Sequence, residues 1–392
     1  MKRSRLTHFS LVLGGMGAAV LILEVTLRLG GISYPYFYIP DTVTGHAHKP
    51  NAEGWWRKEG QAYIRINSAG LRDREHSKRK PSGTLRIAVL GDSYTEALQV
   101  PREQTFWAVL EQELQQCHAL AGRQVEVINF GVSGFGTAQE LLILRQRVWD
   151  YSPDLVILAF LTGNDVRNNS RELDDNPTKP YFVYQEGQLV LDARFRDSFA
   201  FVLRQMNFSY EAFEYSHVLQ VMREARYKIG AYLREVTLRR MMTAEVGSET
   251  DLDAMVYLEP MNPWWAEAWR VTEALIILMR DEIKANGADF LLVTLTNPDQ
   301  VHPDPRRRHE VANKLGVRDL LYPDLRLKAW GEQQGVPMLS LLQPMMAYAE
   351  QRHVFLHGFP NAKIGDGHWN AEGHRLAGQL ISGKVCAGLR SN

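Results

Sequence analysis

The chain has 392 residues, 45% of them hydrophobic and 23% charged, with 45 basic residues balanced by 45 acidic ones. That composition excludes wholesale disorder and permits one large domain or two ordinary ones, and the absence of net charge argues against nucleic acid as a partner. The two cysteines, Cys117 and Cys386, are too few for a zinc cluster or a disulfide framework; a single bridge is one option and two idle thiols are the expected one.

Lys2, Arg3 and Arg5 precede an apolar run from Phe9 to Leu23, followed by Glu24 and Arg28, which can pair four apart on one helix face. Counted to Leu29 the segment reaches about 30 Å, enough to span a bilayer. No small-x-small cleavage site follows. The expectation over residues 1–30 is an uncleaved, single-pass signal anchor, with the rest of the chain on the periplasmic side because the basic residues stay in the cytoplasm. Residues 31–61 carry Tyr34-Pro-Tyr-Phe-Tyr38 and Trp55-Trp56, too aromatic for a free linker, and read as a tether packed on the domain that follows.

That domain is expected over 62–392. Ala62–Ile66 alternates as a strand, and Asn67-Ser-Ala-Gly70 closes it with a turn. An α/β rhythm starts at strand Ile87–Leu90 and continues with a helix over 105–118, strand Val125–Asn129, a helix over 137–149 and strand Leu155–Phe160. It breaks between about 167 and 262, where a hairpin at 181–191 and a long helix at 213–241 read as an insertion walling the site. It resumes with a helix over 264–286, strand Phe290–Leu295, a helix over 322–334, strand Pro337–Leu341 and a last helix after Glu372. Continuous apolar strands separated by amphipathic helices predict a parallel sheet covered on both faces.

Four places carry possible chemistry. Gly91-Asp92-Ser93 follows the first strand, where a tight turn lifts a serine hydroxyl clear of the sheet; an ordinary N-cap explains the triplet equally well. Asn129-Phe-Gly-Val-Ser-Gly134 follows the second, where glycine lets a backbone N–H approach a ligand, or merely turns the chain. Thr162-Gly-Asn164-Asp165 follows the third; the Asn164 amide is a neutral donor suited to an oxyanion, or an Asx-turn. Gly365-Asp366-Gly-His368-Trp-Asn-Ala-Glu-Gly-His374 precedes the last helix. There His368 is placed to act as a base with Asp366 orienting it, the alternative being a metal held by Asp366, His368 and His374.

In this order the four blocks resemble the SGNH/GDSL hydrolase superfamily, over roughly residues 62–166 and 288–385. The resemblance implies a three-layer α/β/α, flavodoxin-like domain acting on esters without a cofactor or metal. It further implies Ser93 as nucleophile, His368 as general base, Asp366 as its support, and an oxyanion hole from Ser93, Gly134 and Asn164. The last block departs from the usual Asp-x-x-His. Its shorter Asp-x-His-Trp form is similar to the branch found in bacterial exopolysaccharide O-acetylation proteins.

The expected function is a membrane-anchored serine esterase, removing or transferring O-acyl groups on a cell-envelope or secreted glycan. Trp55, Trp56, Trp264 and Trp265 are candidates for stacking on sugars, though core packing or a membrane-interface belt is the expected role of any one. A lipid-acting esterase with an acyl tunnel near Phe199, Phe201 and Phe208 is one alternative. A non-catalytic envelope scaffold is the other.

Overall fold

A computed structural model describes residues 2–120, 122–206, 215–246 and 253–389. Its centre is a five-stranded, all-parallel sheet: β1 (Thr84–Gly91), β2 (Gln124–Asn129), β3 (Leu155–Leu161), β4 (Asp289–Leu295) and β5 (Met338–Ser340), in the order β5-β4-β3-β1-β2. This is the flavodoxin-like arrangement, whose strand order reverses between β1 and β3. All eight residues of β1 are buried, as a central strand covered on both faces requires.

Alternation along the strands splits the core into two layers. Ile87, Val89, Val127, Ile157, Val293 and Leu295 point toward the helices Phe106–Gln115, Leu342–Arg352 and Ala371–Leu389. The intervening residues Ala88, Leu90, Leu158 and Phe160 are equally buried, on the face covered by the helices Thr137–Gln146 and Pro263–Ala285. The three-layer α/β/α architecture is therefore present. Helix starts follow local rules: Thr105 accepts the Ala108 N–H, and Asn262 accepts the Trp264 N–H ahead of Pro263 at the first helical position.

Cys117, just beyond the helix Phe106–Gln115, is bonded to Cys386 in the terminal helix. The expectation of two idle thiols is thus corrected. The two helices pack side by side on the sheet, which brings cysteines 269 residues apart in sequence to a Cα–Cα distance of 6.0 Å.

The unit containing the sheet begins at Tyr38 rather than at residue 62. Two antiparallel hairpins, Tyr38–Asp41 with Gly45–His48 and Glu53–Trp56 with Ala62–Arg65, belong to it. So does the hairpin Tyr181–Gln185 with Gln188–Asp192, close to its predicted position. The second unit joins the segment up to Phe37 to the helix His217–Val246, so the predicted insertion is divided between the units.

In that second unit the helix Lys2–Leu29 contains His8–Leu29, with mean hydropathy 2.0, long and apolar enough to cross a membrane. Glu24 pairs with Arg28 at 2.7 Å as anticipated. It also accepts the N–H groups of His217 and Val218 and the Ser216 hydroxyl, each at 3.0 Å.

Candidate active site

Every strand end that the sequence singled out lies at the carboxyl edge of the sheet, around the β1/β3 reversal. Ser93 is the first residue of a short helix, Ser93–Glu96, entered directly from β1. Asp92 caps it, accepting the Tyr94 N–H at 2.9 Å. The N-cap and the raised serine are therefore one feature, because the cap is what turns Ser93 out of the strand.

Ser93 meets His368 across 275 residues of sequence: its Oγ donates to Nε2 at 2.8 Å. The imidazole is held from the other side by Glu59, not by Asp366. Glu59 accepts the Nδ1–H at 2.6 Å and the backbone N–H of His368 at 2.7 Å, one with each carboxylate oxygen. Burial works against the charge on Glu59, but the bonds to His368 outweigh it and hold the carboxyl below its usual range.

Asp366 points elsewhere. It pairs with Lys363 at 2.7 Å in a half-exposed ion pair, and the same lysine keeps its carboxyl low. The shortened spacing explains the exchange. Gly367 sits between the two residues at φ +72°, and a Cβ there would fall 2.1 Å from Glu59 Oε1. The glycine thus clears the space into which the Glu59 carboxylate fits.

The loop carrying Glu59 is anchored. Trp56 Nε1–H donates to the Glu59 carbonyl at 2.9 Å, and Asn361 bonds the Gly60 N–H and carbonyl at 2.9 and 2.8 Å. The loop carrying His368 is anchored as well. Trp369 is fully buried, donates to Thr296 Oγ1 at 2.9 Å and meets Tyr94 and Phe106 edge-on. The Tyr94 hydroxyl donates to the Gly367 carbonyl at 2.9 Å. Burial holds His357, which donates to the Thr296 carbonyl at 3.0 Å, down to about 3. His374 stacks on Phe106 and accepts the Phe106 N–H, so it turns away from Asp366 and His368 rather than sharing a ligand with them.

Gly134 lies in a turn over 132–135, closed by the Phe135 N–H on the Val132 carbonyl at 3.2 Å. Its φ of +79° at the third position marks a type II turn. Asn164 Nδ2 donates to Asp92 Oδ2 at 3.0 Å, which fixes the amide and leaves it a second N–H. Burial raises the Asp92 carboxyl despite these bonds. Behind it, burial and then the Asp92 charge push Glu140 and Asp165 well above the carboxylate range. Of the residues considered for an acyl tunnel, Phe201 is fully buried, Phe199 is exposed, and Phe208 lies outside the described residues. Trp265 is buried, whereas Trp55 and Tyr63 form an exposed edge-to-face pair on the hairpin that leads into and out of Glu59.

The geometry brings together Ser93 and His368 and replaces Asp366 by Glu59. Sequence reasoning missed Glu59 because no strand was expected at 53–56. The available signal was an acidic residue between aromatic strand segments, Trp55-Trp56 and Tyr63, beside a glycine.

No protein-family model matches the chain, and no curated protein matches it significantly. Among solved structures it is similar to an acetyl xylan esterase, at 14% identity over 76% of this chain and 99% of that one, with a TM-score of 0.38. It is also similar to a GDSL-like lipase from Bacteroides thetaiotaomicron VPI-5482, at 14% identity over 80% and 92% of the two chains, with a TM-score of 0.33. A third is a catalytic mutant of an acetylxylan esterase from Geobacillus stearothermophilus, at 12% identity over 76% and 93%, with a TM-score of 0.38. At such identities and scores the likeness adds nothing to the chemistry, which rests on the distances above.

Proposed function

We propose that the protein is a serine esterase working through an acyl-Ser93 intermediate, with Glu59, not Asp366, as the acid of its triad. The observation that carries this is the chain Ser93 Oγ–His368 Nε2–His368 Nδ1–Glu59, joined at 2.8 and 2.6 Å. With Nδ1–H pinned to a carboxylate, Nε2 presents its lone pair to the serine hydroxyl. Ser93 Oγ attacks the ester carbonyl while its proton passes to Nε2. The Ser93 and Gly134 N–H groups and the second Asn164 N–H receive the oxyanion. Collapse breaks the bond to the leaving alcohol, which takes the proton from His368 and leaves acyl-Ser93. Attack by water then completes hydrolysis; attack by a sugar hydroxyl completes transfer.

The exposed Trp55–Tyr63 pair beside Glu59 supports an acylated glycan as substrate, since flat aromatic faces suit sugar rings. The disulfide supports an oxidising compartment. The contacts of Glu24 with residues 216–218 support retention of the apolar helix as a membrane anchor, because removing a leader would strip those N–H groups of their acceptor. The domain is then periplasmic and single-pass.

The test compares wild type with Ser93→Ala on p-nitrophenyl acetate and on longer acyl esters. Wild-type turnover that vanishes in Ser93→Ala is expected; equal rates overturn the assignment. Faster turnover of long chains than of acetate would replace the glycan substrate by a lipid one.

A further inference from the structure

The strand Gly45–His48 brings one imidazole onto Ser133 and a second onto Glu96, which itself holds Ser133. His46 Nε2–H donates to the Ser133 carbonyl at 2.8 Å. His48 Nε2 lies 2.5 Å from Glu96 Oε1. The other Glu96 oxygen accepts the Ser133 N–H at 3.0 Å and also the Ser133 hydroxyl. The Tyr38 hydroxyl bonds both Glu96 oxygens, at 2.7 and 2.9 Å. Glu96 is wholly buried. Every polar atom of Ser133 is thereby tied to this cluster.

Ser133 precedes Gly134, and that position gives the cluster its meaning. The Ser133 carbonyl and the Gly134 N–H are opposite ends of one planar trans peptide, so they point in opposite directions. They form the central peptide of the 132–135 turn. Type I and type II turns differ by a flip of that peptide, and glycine at the third position accepts either form. A flip would swing the Gly134 N–H away by roughly half a turn.

We infer that His46, backed by the His48–Glu96 pair, is a positioning residue that locks this peptide so that the Gly134 N–H faces the developing oxyanion. The inference rests on the acyl-transfer reading given above. Burial holds His46 down to about 4, so near neutrality the ring is uncharged, and the carbonyl acceptor requires its single proton on Nε2. Glu96 is the complementary element. Burial opposes its charge, but His48, Ser133 and Tyr38 outweigh that and keep it ionised. As an acceptor it can hold only the N–H and O–H of Ser133, leaving the carbonyl to His46. The two partners thus fix the residue on both sides without competing for the same atoms.

The test measures kcat and KM separately for His46→Ala, His46→Gln and Tyr38→Phe, alongside Ser93→Ala. Losing an oxyanion donor costs about 10²–10³-fold in kcat. A donor released but still present should cost about 10–100-fold in His46→Ala, with KM within about twofold. His46→Gln, which keeps an N–H of similar reach, should recover most of that loss. Tyr38→Phe, a near-isosteric change that loosens Glu96, should lose about two- to fivefold and keeps the test alive if His46→Ala does not fold. Unchanged kcat in folded His46→Ala, a loss confined to KM, or a glutamine variant no better than alanine overturns the positioning role alone. A wild-type rate independent of Ser93 overturns this inference together with the reading beneath it.

Discussion

Replacing Glu59 by Gln keeps the length of the side chain and removes one acceptor. The His368 backbone N–H can only donate, so the amide oxygen must face it, as Glu59 Oε1 does at 2.7 Å. The NH₂ group then faces Nδ1 and forces the proton onto Nε2, where the ring cannot accept from Ser93. Turning the amide over restores the productive tautomer but sets the NH₂ against the backbone N–H, an unmet donor costing about 1–3 kcal/mol. That preference lowers the productive population about 5–150-fold. The charge on Glu59 also stabilises the imidazolium formed during attack, by about 1.5–3 kcal/mol for a charge-assisted bond, or a further 10–150-fold. Together kcat should fall about 10²–10⁴-fold with KM little changed. Asp366→Asn removes only an exposed pair with Lys363, worth about 0–1 kcal/mol, and should stay within about fivefold of wild type. Steady-state hydrolysis of p-nitrophenyl acetate reads both. A Glu59→Gln enzyme near wild type, or a larger loss in Asp366→Asn, would refute the assignment of the acid.

Two further outcomes concern stability. The Cys117–Cys386 bond closes a loop across a separation of 269 residues, for which chain entropy sets a ceiling of about 5–6 kcal/mol. Cys117→Ser with Cys386→Ser should lower the calorimetric midpoint clearly while Ser93-dependent turnover persists at low temperature; an unchanged midpoint would mean the bond does not form. The second outcome is acid sensitivity. His46, His357 and His374 are neutral in the fold, with burial holding them at about 4, at about 3 and well below 6.5 respectively. The unfolded chain protonates all three near 6.5. Their share of the stability is therefore fully present above that value and is lost as pH falls toward 4. Asp324, raised to about 6 by burial, works in the opposite sense over about pH 4–6, and so do Glu140 and Asp165, which burial and then the Asp92 charge hold well above the carboxylate range. His357→Gln, which removes one of the three histidines, should therefore lose less stability to urea than wild type between pH 6.5 and 4, and an equal loss would contradict it.

The five sheet strands and their flanking helices were legible because each is a long apolar or amphipathic run whose burial is decided locally. The helix Tyr322–Gln334 falls where its pattern puts it. The placement of Ser93, Gly134 and Asn164 beyond neighbouring strand ends was legible because parallel strands deliver those ends to one edge. Glu59 was not. It stands on the loop between two four-residue hairpin strands, and that loop is held by contacts with Asn361 and His368, hundreds of residues away. Asp366 was chosen for its nearness in sequence, but Gly367 at positive φ turns the backbone so that its carboxylate meets Lys363 instead. The pairing of Cys117 with Cys386 was hidden for a related reason, since it depends on two helices packing side by side that no local pattern connects.

The order in which the proposed triad leaves the ribosome follows from where its members sit. Glu59 emerges first, then Ser93, and His368 only 275 residues after the serine. At roughly 5–20 residues per second that interval lasts roughly 15–55 s. Throughout it the chain already carries its apolar N-terminal helix and Ser93, yet lacks the imidazole that the proposed mechanism needs. On that mechanism the unfinished chain is chemically silent, and its reactivity switches on only once the segment bearing His368 has appeared.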